Sequence, residues 1–287
     1  MFGRRSLGLA GAAALLTGLL VSAPAVAQAA DPLETAPLEY VAIGDSSAAG
    51  PLIPWQIDLA CLRSSVNYPH IAAKQLGARL TDVSCSGAVV PDFTSKQFGF
   101  VPPQFSALKL TTDLVTVAIG GNDTGLVTAA LSCINLLPAP AGVSCKSRFT
   151  AGGKDQLAAR ITAAGPSVGA ALDRIRQLSP NAKILVTGYG TYIRPNGCYP
   201  LVPVWPVDAN YLQATVDRLN TMLAQQAAAH GAEYVDLRTP SIGHDACAPS
   251  SQRWLEGLVP SSIAAPLHPS QAGMAAFGRI VAARATR

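Results

Sequence analysis

Charge is scarce in this sequence. Asp, Glu, Lys and Arg make up only 13% of its 287 residues, against about 25% in an ordinary soluble domain. Disordered chains combine low hydrophobicity with high net charge. With 49% hydrophobic residues and a net charge of +4, this chain has the opposite balance, so disorder is excluded for most of its length. The small cationic surplus forms no basic run or stripe, so the sequence carries no footprint for nucleic acid or another polyanion. Beyond residue 29 no segment reaches the ~18 uninterrupted apolar residues of a membrane span, and a soluble mature protein is expected. No two cysteines stand in CxxC spacing, which disfavours a structural zinc or redox site. There is no internal repeat and no linker, so one domain is the simplest reading.

The N-terminus is of a different kind. Arg4 and Arg5 precede an apolar stretch from Leu7 to Val21, and Ala27-Gln28-Ala29 supplies small residues at the positions that signal peptidase reads. This pattern predicts a secretory signal peptide over residues 1–29, followed by a single domain over residues 30–287. The six cysteines, Cys61, Cys85, Cys133, Cys145, Cys198 and Cys247, all fall after it. An even count in an exported chain predicts three disulfides. Six cysteines allow fifteen pairings and the residues alone do not choose among them; sequential pairing closes short loops.

Five short apolar runs read as strands: Leu38 to Ile43, Leu80 to Val83, Asp113 to Ile119, Ala182 to Thr187 and Glu233 to Leu237. Continuous apolar runs of this length suit a parallel sheet covered on both faces. Helical spacing appears between them. Leu157, Ile161, Val168, Leu172, Ile175 and Leu178 share one face, although Pro166 is expected to kink or break that helix. Asp208 is a candidate cap for a helix carrying Leu212, Val216, Leu219 and Leu223 and ending at Gly231. Ser270 is a candidate cap for a last helix with Met274, Phe277 and Ile280. Alternating strands and helices predict a three-layer α/β domain.

In such sheets, ligand sites form outside the carboxyl ends of the strands. Three of these ends carry distinctive turns: Gly44-Asp45-Ser46, Cys85-Ser86-Gly87 and Gly120-Gly121-Asn122-Asp123. Of the four histidines, His70 follows Pro69 at a helix start, His230 sits at a helix end and His244 lies in a loop, whereas His268 stands just before the last helix. Three loops, Pro51 to Leu62, Ile134 to Gly142 and Leu201 to Pro206, are apolar and Pro-rich where loops are ordinarily polar. They read either as packing beneath disulfides or as the walls of an apolar substrate groove, with Leu52, Ile53, Trp55, Val204 and Trp205 as its lining.

In order along the chain stand IGDSSAAG (Ile43 to Gly50), CSGA (Cys85 to Ala88), IGGNDTG (Ile119 to Gly125) and LHPSQAG (Leu267 to Gly273). Together they resemble the motifs of the SGNH, or GDSL, hydrolases. The signal peptide, size and cysteine count resemble the secreted actinobacterial lipase, esterase and phospholipase branch. The resemblance implies a flavodoxin-like fold around a mainly parallel five-stranded sheet, and the pairings Cys61–Cys85, Cys133–Cys145 and Cys198–Cys247. It implies Ser46 as nucleophile and His268 as general base. The N–H groups of Ser46 and Gly87 and the side-chain amide of Asn122 would form the oxyanion hole, and no cofactor or metal is needed.

The residue types fit the chemistry. A serine hydroxyl needs a base to take its proton, and histidine suits that near neutral pH. Ser47 is the rival nucleophile. The family often has an aspartate three residues before the histidine, and here that position is Ala265. The expectation is therefore a Ser–His dyad oriented by a main-chain carbonyl, with Asp245 the rival third member. The function expected is hydrolysis of carboxyl esters, especially lipid acyl esters, by a secreted monomer in transient contact with lipid surfaces. A carbohydrate acetylesterase is the alternative within the class. A metallophosphoesterase would need clustered His and carboxylate ligands, and a silent binding protein would not need Ser46, Asn122 and His268 together.

Overall fold

A computed structural model describes residues 36–287; the expected signal peptide lies outside the described residues. Five strands, β1 (Glu39–Gly44), β2 (Arg79–Asp82), β3 (Leu114–Ala118), β4 (Lys183–Thr187) and β5 (Glu233–Val235), form one sheet in the order β2-β1-β3-β4-β5. Every pairing is parallel, including Tyr40 with Leu114 in β1–β3 and Val115 with Ile184 in β3–β4.

Side chains alternate across the sheet with the two-residue strand period. Tyr40, Ala42, Leu114 and Leu185 face one side, where α1 (Tyr68–Leu76) and α4 (Gln271–Ala285) cover them with Tyr68, Met274, Phe277 and Val281. Val41, Ile43, Val115, Val117, Ile184 and Val186 face the other. There α2 (Gln156–Leu178) and α3 (Pro206–Ala229) supply Ile161, Val168, Leu172, Val216 and Leu219. Both faces being buried explains why the strands read as unbroken apolar runs. Each such aliphatic side chain contributes about 1.5–3 kcal/mol by leaving water, so few charges are needed to hold the layers together.

Two local expectations are corrected. Helix α2 runs without interruption through Pro166. Pro166 and Thr162, whose carbonyl loses its helical donor, both lie on the exposed face, where solvent can take the place of the missing N–H. Asp208 does not cap α3. The helix begins at Pro206, and the buried Asp208 carboxylate accepts instead from the Ser144 hydroxyl at 2.5 Å and the Lys146 N–H at 2.9 Å. Ser270 does cap α4, accepting from the Gly273 N–H.

A third apolar cluster lies beyond the sheet, containing Ala129, Leu157, Ile193, Val202, Val204 and Leu212 with the Cys133–Cys145 disulfide. The Ile134 and Leu201 loops meet there through an antiparallel bridge between Ile134 and Val204. Cys198–Cys247 fastens the second of these loops, and Cys61–Cys85 ties the Pro51–Leu62 loop to the end of β2. Closing loops of this size restricts the unfolded chain and is worth about 2–4 kcal/mol per bond. The irregular segments that make few ladder hydrogen bonds are thus the ones held covalently.

Candidate active site

The order β2-β1-β3-β4-β5 places a topological switch point between β1 and β3, where a crevice opens at the strand ends. Ser46 follows β1 and Asn122 follows β3. The exit from β1 is sterically defined. Gly44 has φ +149°, and a Cβ there would stand 2.4 Å from the Ala118 carbonyl oxygen, so only glycine lets the two strands stay this close. The Gln104 side chain grips the same residue, accepting from the Gly44 N–H at 2.7 Å and donating to its carbonyl at 3.0 Å.

The next residue, Asp45, donates its N–H to the Ala118 carbonyl at 2.8 Å and caps the helical turn Ser46–Ala49 through its side chain. Its carboxylate accepts from the Ser47 N–H at 2.8 Å, the Ser47 hydroxyl at 2.6 Å and the Tyr189 hydroxyl at 2.6 Å. Burial raises the Asp45 carboxyl above its ordinary range, and these hydrogen bonds oppose the rise. The Ser47 hydroxyl is thus engaged with Asp45. The neighbouring Ser46 Oγ stands 2.7 Å from His268 Nε2.

His268 Nδ1 lies 2.7 Å from the carbonyl oxygen of Pro266. A carbonyl can only accept, so Nδ1 carries the proton and Nε2 presents its lone pair to Ser46. The His268 segment is pinned to residues 254–257: Leu267 N–H donates to the Gly257 carbonyl, Glu256 N–H to the His268 carbonyl and Ser270 N–H to the Trp254 carbonyl. Burial lowers the imidazole below the usual histidine value, and the Pro266 hydrogen bond opposes that shift. Asp245 is elsewhere. It is buried, paired with Arg194 at 3.1 Å and bonded to the Cys247 N–H at 2.9 Å.

Gly87 adopts φ +82° in the turn after β2. The turn is held by the Ser86 N–H on the Cys61 carbonyl, the Gln97 amide on the Ser86 carbonyl at 2.9 Å, and the Cys61–Cys85 bond. The Asn122 amide donates to the Ala88 carbonyl at 3.0 Å, which fixes its orientation and leaves its second N–H free to turn toward the crevice. Among the described residues the N–H groups of Ser46 and Gly87 have no protein acceptor. Ser46, Asn122 and His268 all line one cleft, and unpaired donors of this kind are what an attacked carbonyl oxygen requires.

A narrow apolar cleft leads away from Ser46, Asn122 and His268. Its walls are Leu126, Val127, Ala130, Ile134, Ile193, Val202, Val204 and Val216, with Glu256 and Gln213 as sparse polar points. Two of the three apolar loops therefore contribute walls while also packing beneath disulfides. The expected lining is corrected at four positions. Ile53 is buried in the sheet-side core, Trp205 is buried with its indole N–H on the Leu137 carbonyl, and Leu52 and Trp55 face solvent, Trp55 at 78% exposure. Only Val204 of that set reaches the cleft.

Of the residues singled out in the sequence, the fold brings Ser46, Asn122 and His268 to one cleft, while Gly87 stands in the turn after β2. Sequence reasoning missed Tyr189, Gln104 and Gln97. Tyr189 had a signal: Gly188-Tyr189-Gly190 follows β4, another strand end on the same rim.

Residues 42–276 match the model of the GDSL-like lipase/acylhydrolase family. The chain is 39% identical over 260 residues to "Lipase 2" of Streptomyces coelicolor, covering 87% of this chain and 86% of that protein. It is 31% identical over 272 residues to "Lipase 1" of the same organism, covering 94% of each. Among solved structures, phospholipase A1 from Streptomyces albidoflavus NA297 superposes with a TM-score of 0.71 at 27% identity, over 88% of this chain and 100% of that one. The extracellular lipase of Streptomyces rimosus superposes with a TM-score of 0.71 at 26% identity, over 87% and 100%. With its strand-end turns, its crevice and these relatives in agreement, the chain belongs to the GDSL-like lipase/acylhydrolase family.

Proposed function

We propose that this protein is a secreted carboxyl-ester hydrolase that acts on lipid acyl esters through a Ser46–His268 dyad. The observation that carries the reading is the 2.7 Å contact between Ser46 Oγ and a His268 ring whose other nitrogen is held at 2.7 Å by the Pro266 carbonyl. His268 Nε2 takes the Ser46 proton as Oγ attacks the ester carbonyl. The resulting oxyanion accepts from the Ser46 and Gly87 N–H groups and the Asn122 amide. The imidazolium returns the proton to the leaving alkoxide, an alcohol departs, and the acyl-enzyme remains. Water then repeats the sequence, with His268 as base, and releases the acid. The Pro266 carbonyl fixes the tautomer but, being neutral, offsets less imidazolium charge than a carboxylate would.

The apolar cleft favours an acyl chain over a sugar ring. Each methylene it removes from water is worth about 0.8 kcal/mol, or roughly fourfold in kcat/KM per carbon while the chain still fits. Similarity to an extracellular lipase and three disulfides support secretion. Every group invoked comes from one chain, so a monomer suffices. Transient contact with a lipid surface is supported by exposed Trp55, Leu59, Phe98 and Phe100, carried on segments bonded to Cys85 and Ser86 beside Gly87.

The nucleophile assignment is tested with p-nitrophenyl esters. Ser46→Ala should lose on the order of 10⁶ in kcat, whereas Ser47→Ala should lose no more than about tenfold, the worth of one displaced hydrogen bond. A dead Ser47→Ala beside an active Ser46→Ala would reverse the assignment. The pH profile gives a second check. Protonated His268 cannot accept from Ser46, so activity should fall as pH drops through a histidine value held below 6.5 by burial, and kcat/KM should be flat from pH 7 to 8. An ionisation above pH 7 controlling kcat/KM would contradict a neutral, carbonyl-oriented base. For the cleft, Ile134→Trp should depress kcat/KM for the palmitate ester by at least about tenfold relative to acetate, the cost of expelling two or more methylenes. Equal losses on both esters would return Ile134 to a packing role.

A further inference from the structure

The second glycine of the Gly120-Gly121-Asn122-Asp123 turn is not explained by backbone conformation, since Gly121 lacks the left-handed φ of its neighbour Gly120. Its explanation is a neighbour. A Cβ at position 121 would lie 2.9 Å from the Tyr189 hydroxyl oxygen and 3.2 Å from Cζ. That phenol reaches across from the end of β4. It accepts from the Gly121 N–H at 2.9 Å and donates to the Asp45 carboxylate at 2.6 Å. One hydroxyl thereby spans two turns that are not otherwise bonded to each other through side chains: the turn that begins at Asp45 and the turn that presents Asn122.

The bridge is built to be stiff. Tyr189 is buried. Its own N–H donates to the Asn220 side chain at 2.7 Å, and its carbonyl accepts from the same amide at 2.8 Å. Asn220 belongs to α3, so the ring is referenced to the sheet's helical layer and not to a loop. Burial and the nearby Asp45 charge push the phenol far above its ordinary value, so it keeps its proton and its donor–acceptor direction at any working pH. Asp45 in turn caps the turn that starts with Ser46, and Gly121 immediately precedes Asn122.

We propose that Tyr189 is a positioning residue for ester hydrolysis: its hydroxyl sets the span between the Ser46 N–H and the Asn122 amide, and hence the fit of the oxyanion site. The proposal rests on the dyad reading above. The oxyanion exists only after attack, so a mis-set span weakens transition-state binding and leaves substrate binding in the cleft nearly unchanged. Displacements of about 1 Å at such groups can cost up to 10²-fold.

The test is a double-mutant cycle on a p-nitrophenyl ester, with active enzyme counted by titration with an organophosphate. Tyr189→Phe should lower kcat by about 10–100-fold with KM changed less than about twofold. Asn122→Ala should lower kcat by about 10²–10³-fold. In the Asn122→Ala background, Tyr189→Phe should cost less than about threefold, because the group it positions is gone. Multiplicative losses, or a loss carried by KM, would overturn the positioning role. If Tyr189→Phe unfolds, Asn220→Asp, which keeps an acceptor for the Tyr189 N–H and removes the donor to its carbonyl, enters the same cycle with the same two outcomes. Ser46→Ala, assayed beside them, separates the two claims. Its survival would sink the dyad, whereas a dead Ser46→Ala with a multiplicative cycle would sink only the role of Tyr189.

Discussion

On the dyad proposed above, everything else depends on where one imidazole proton sits. In a Ser–His–Asp triad a carboxylate holds that proton and also offsets the charge that forms during turnover. Here position 265 is alanine, and the acceptor is the Pro266 carbonyl, two residues before the histidine. The hydrogen bond is local in sequence, so its geometry is set by the short segment from 265 to 268. That segment is in turn held by backbone pairing to residues 254–257. A main-chain carbonyl cannot rotate away or be protonated at working pH. It is a weaker electrostatic partner than aspartate but a more constant one. Asp245, the rival third member considered from the sequence, is committed to Arg194 and the Cys247 N–H.

The scarcity of charge and the three disulfides describe one design. The strands are buried on both faces, so hydrophobic burial carries the stability of the three layers. The crevice side cannot be held this way, because an open apolar cleft leaves apolar surface uncovered. There the loops are fastened covalently: the Ile134–Val204 bridge stands between the Cys133–Cys145 and Cys198–Cys247 disulfides. The Cys61–Cys85 bond does similar work for the turn that carries Gly87.

Much of this was legible in the residues, for physical reasons that can be named. The strands announced themselves because parallel strands covered on both sides have no polar face. Ser46, Gly87 and Asn122 drew attention because they stand in distinctive turns at strand ends, but their roles and that of His268 were implied only by the resemblance of the four motifs to the SGNH hydrolases. Pro166 misled because a helix's tolerance for proline depends on whether the orphaned carbonyl faces solvent, which is a tertiary property. Asp208 misled because capping signals are local, while a buried carboxylate takes the best donors from any element. The groove lining misled at Leu52, Ile53, Trp55 and Trp205 because apolar loop composition does not reveal which side chains turn inward. Tyr189 stood at a legible strand end, but its partners did not show, because residues 45, 121 and 189 become neighbours only when β1, β3 and β4 align.

The central claim is that Ser46 and a carbonyl-oriented His268 act against an oxyanion held by Ser46, Gly87 and Asn122. A crystal structure of the protein inactivated by diethyl p-nitrophenyl phosphate measures this directly. The account predicts phosphorus bonded to Ser46 Oγ, with the phosphoryl oxygen about 3 Å from the N–H groups of Ser46 and Gly87 and from the Asn122 amide, and the Pro266 carbonyl still on His268 Nδ1. An adduct on Ser47, a phosphoryl oxygen out of reach of those donors, or a carboxylate bonded to Nδ1 would contradict it.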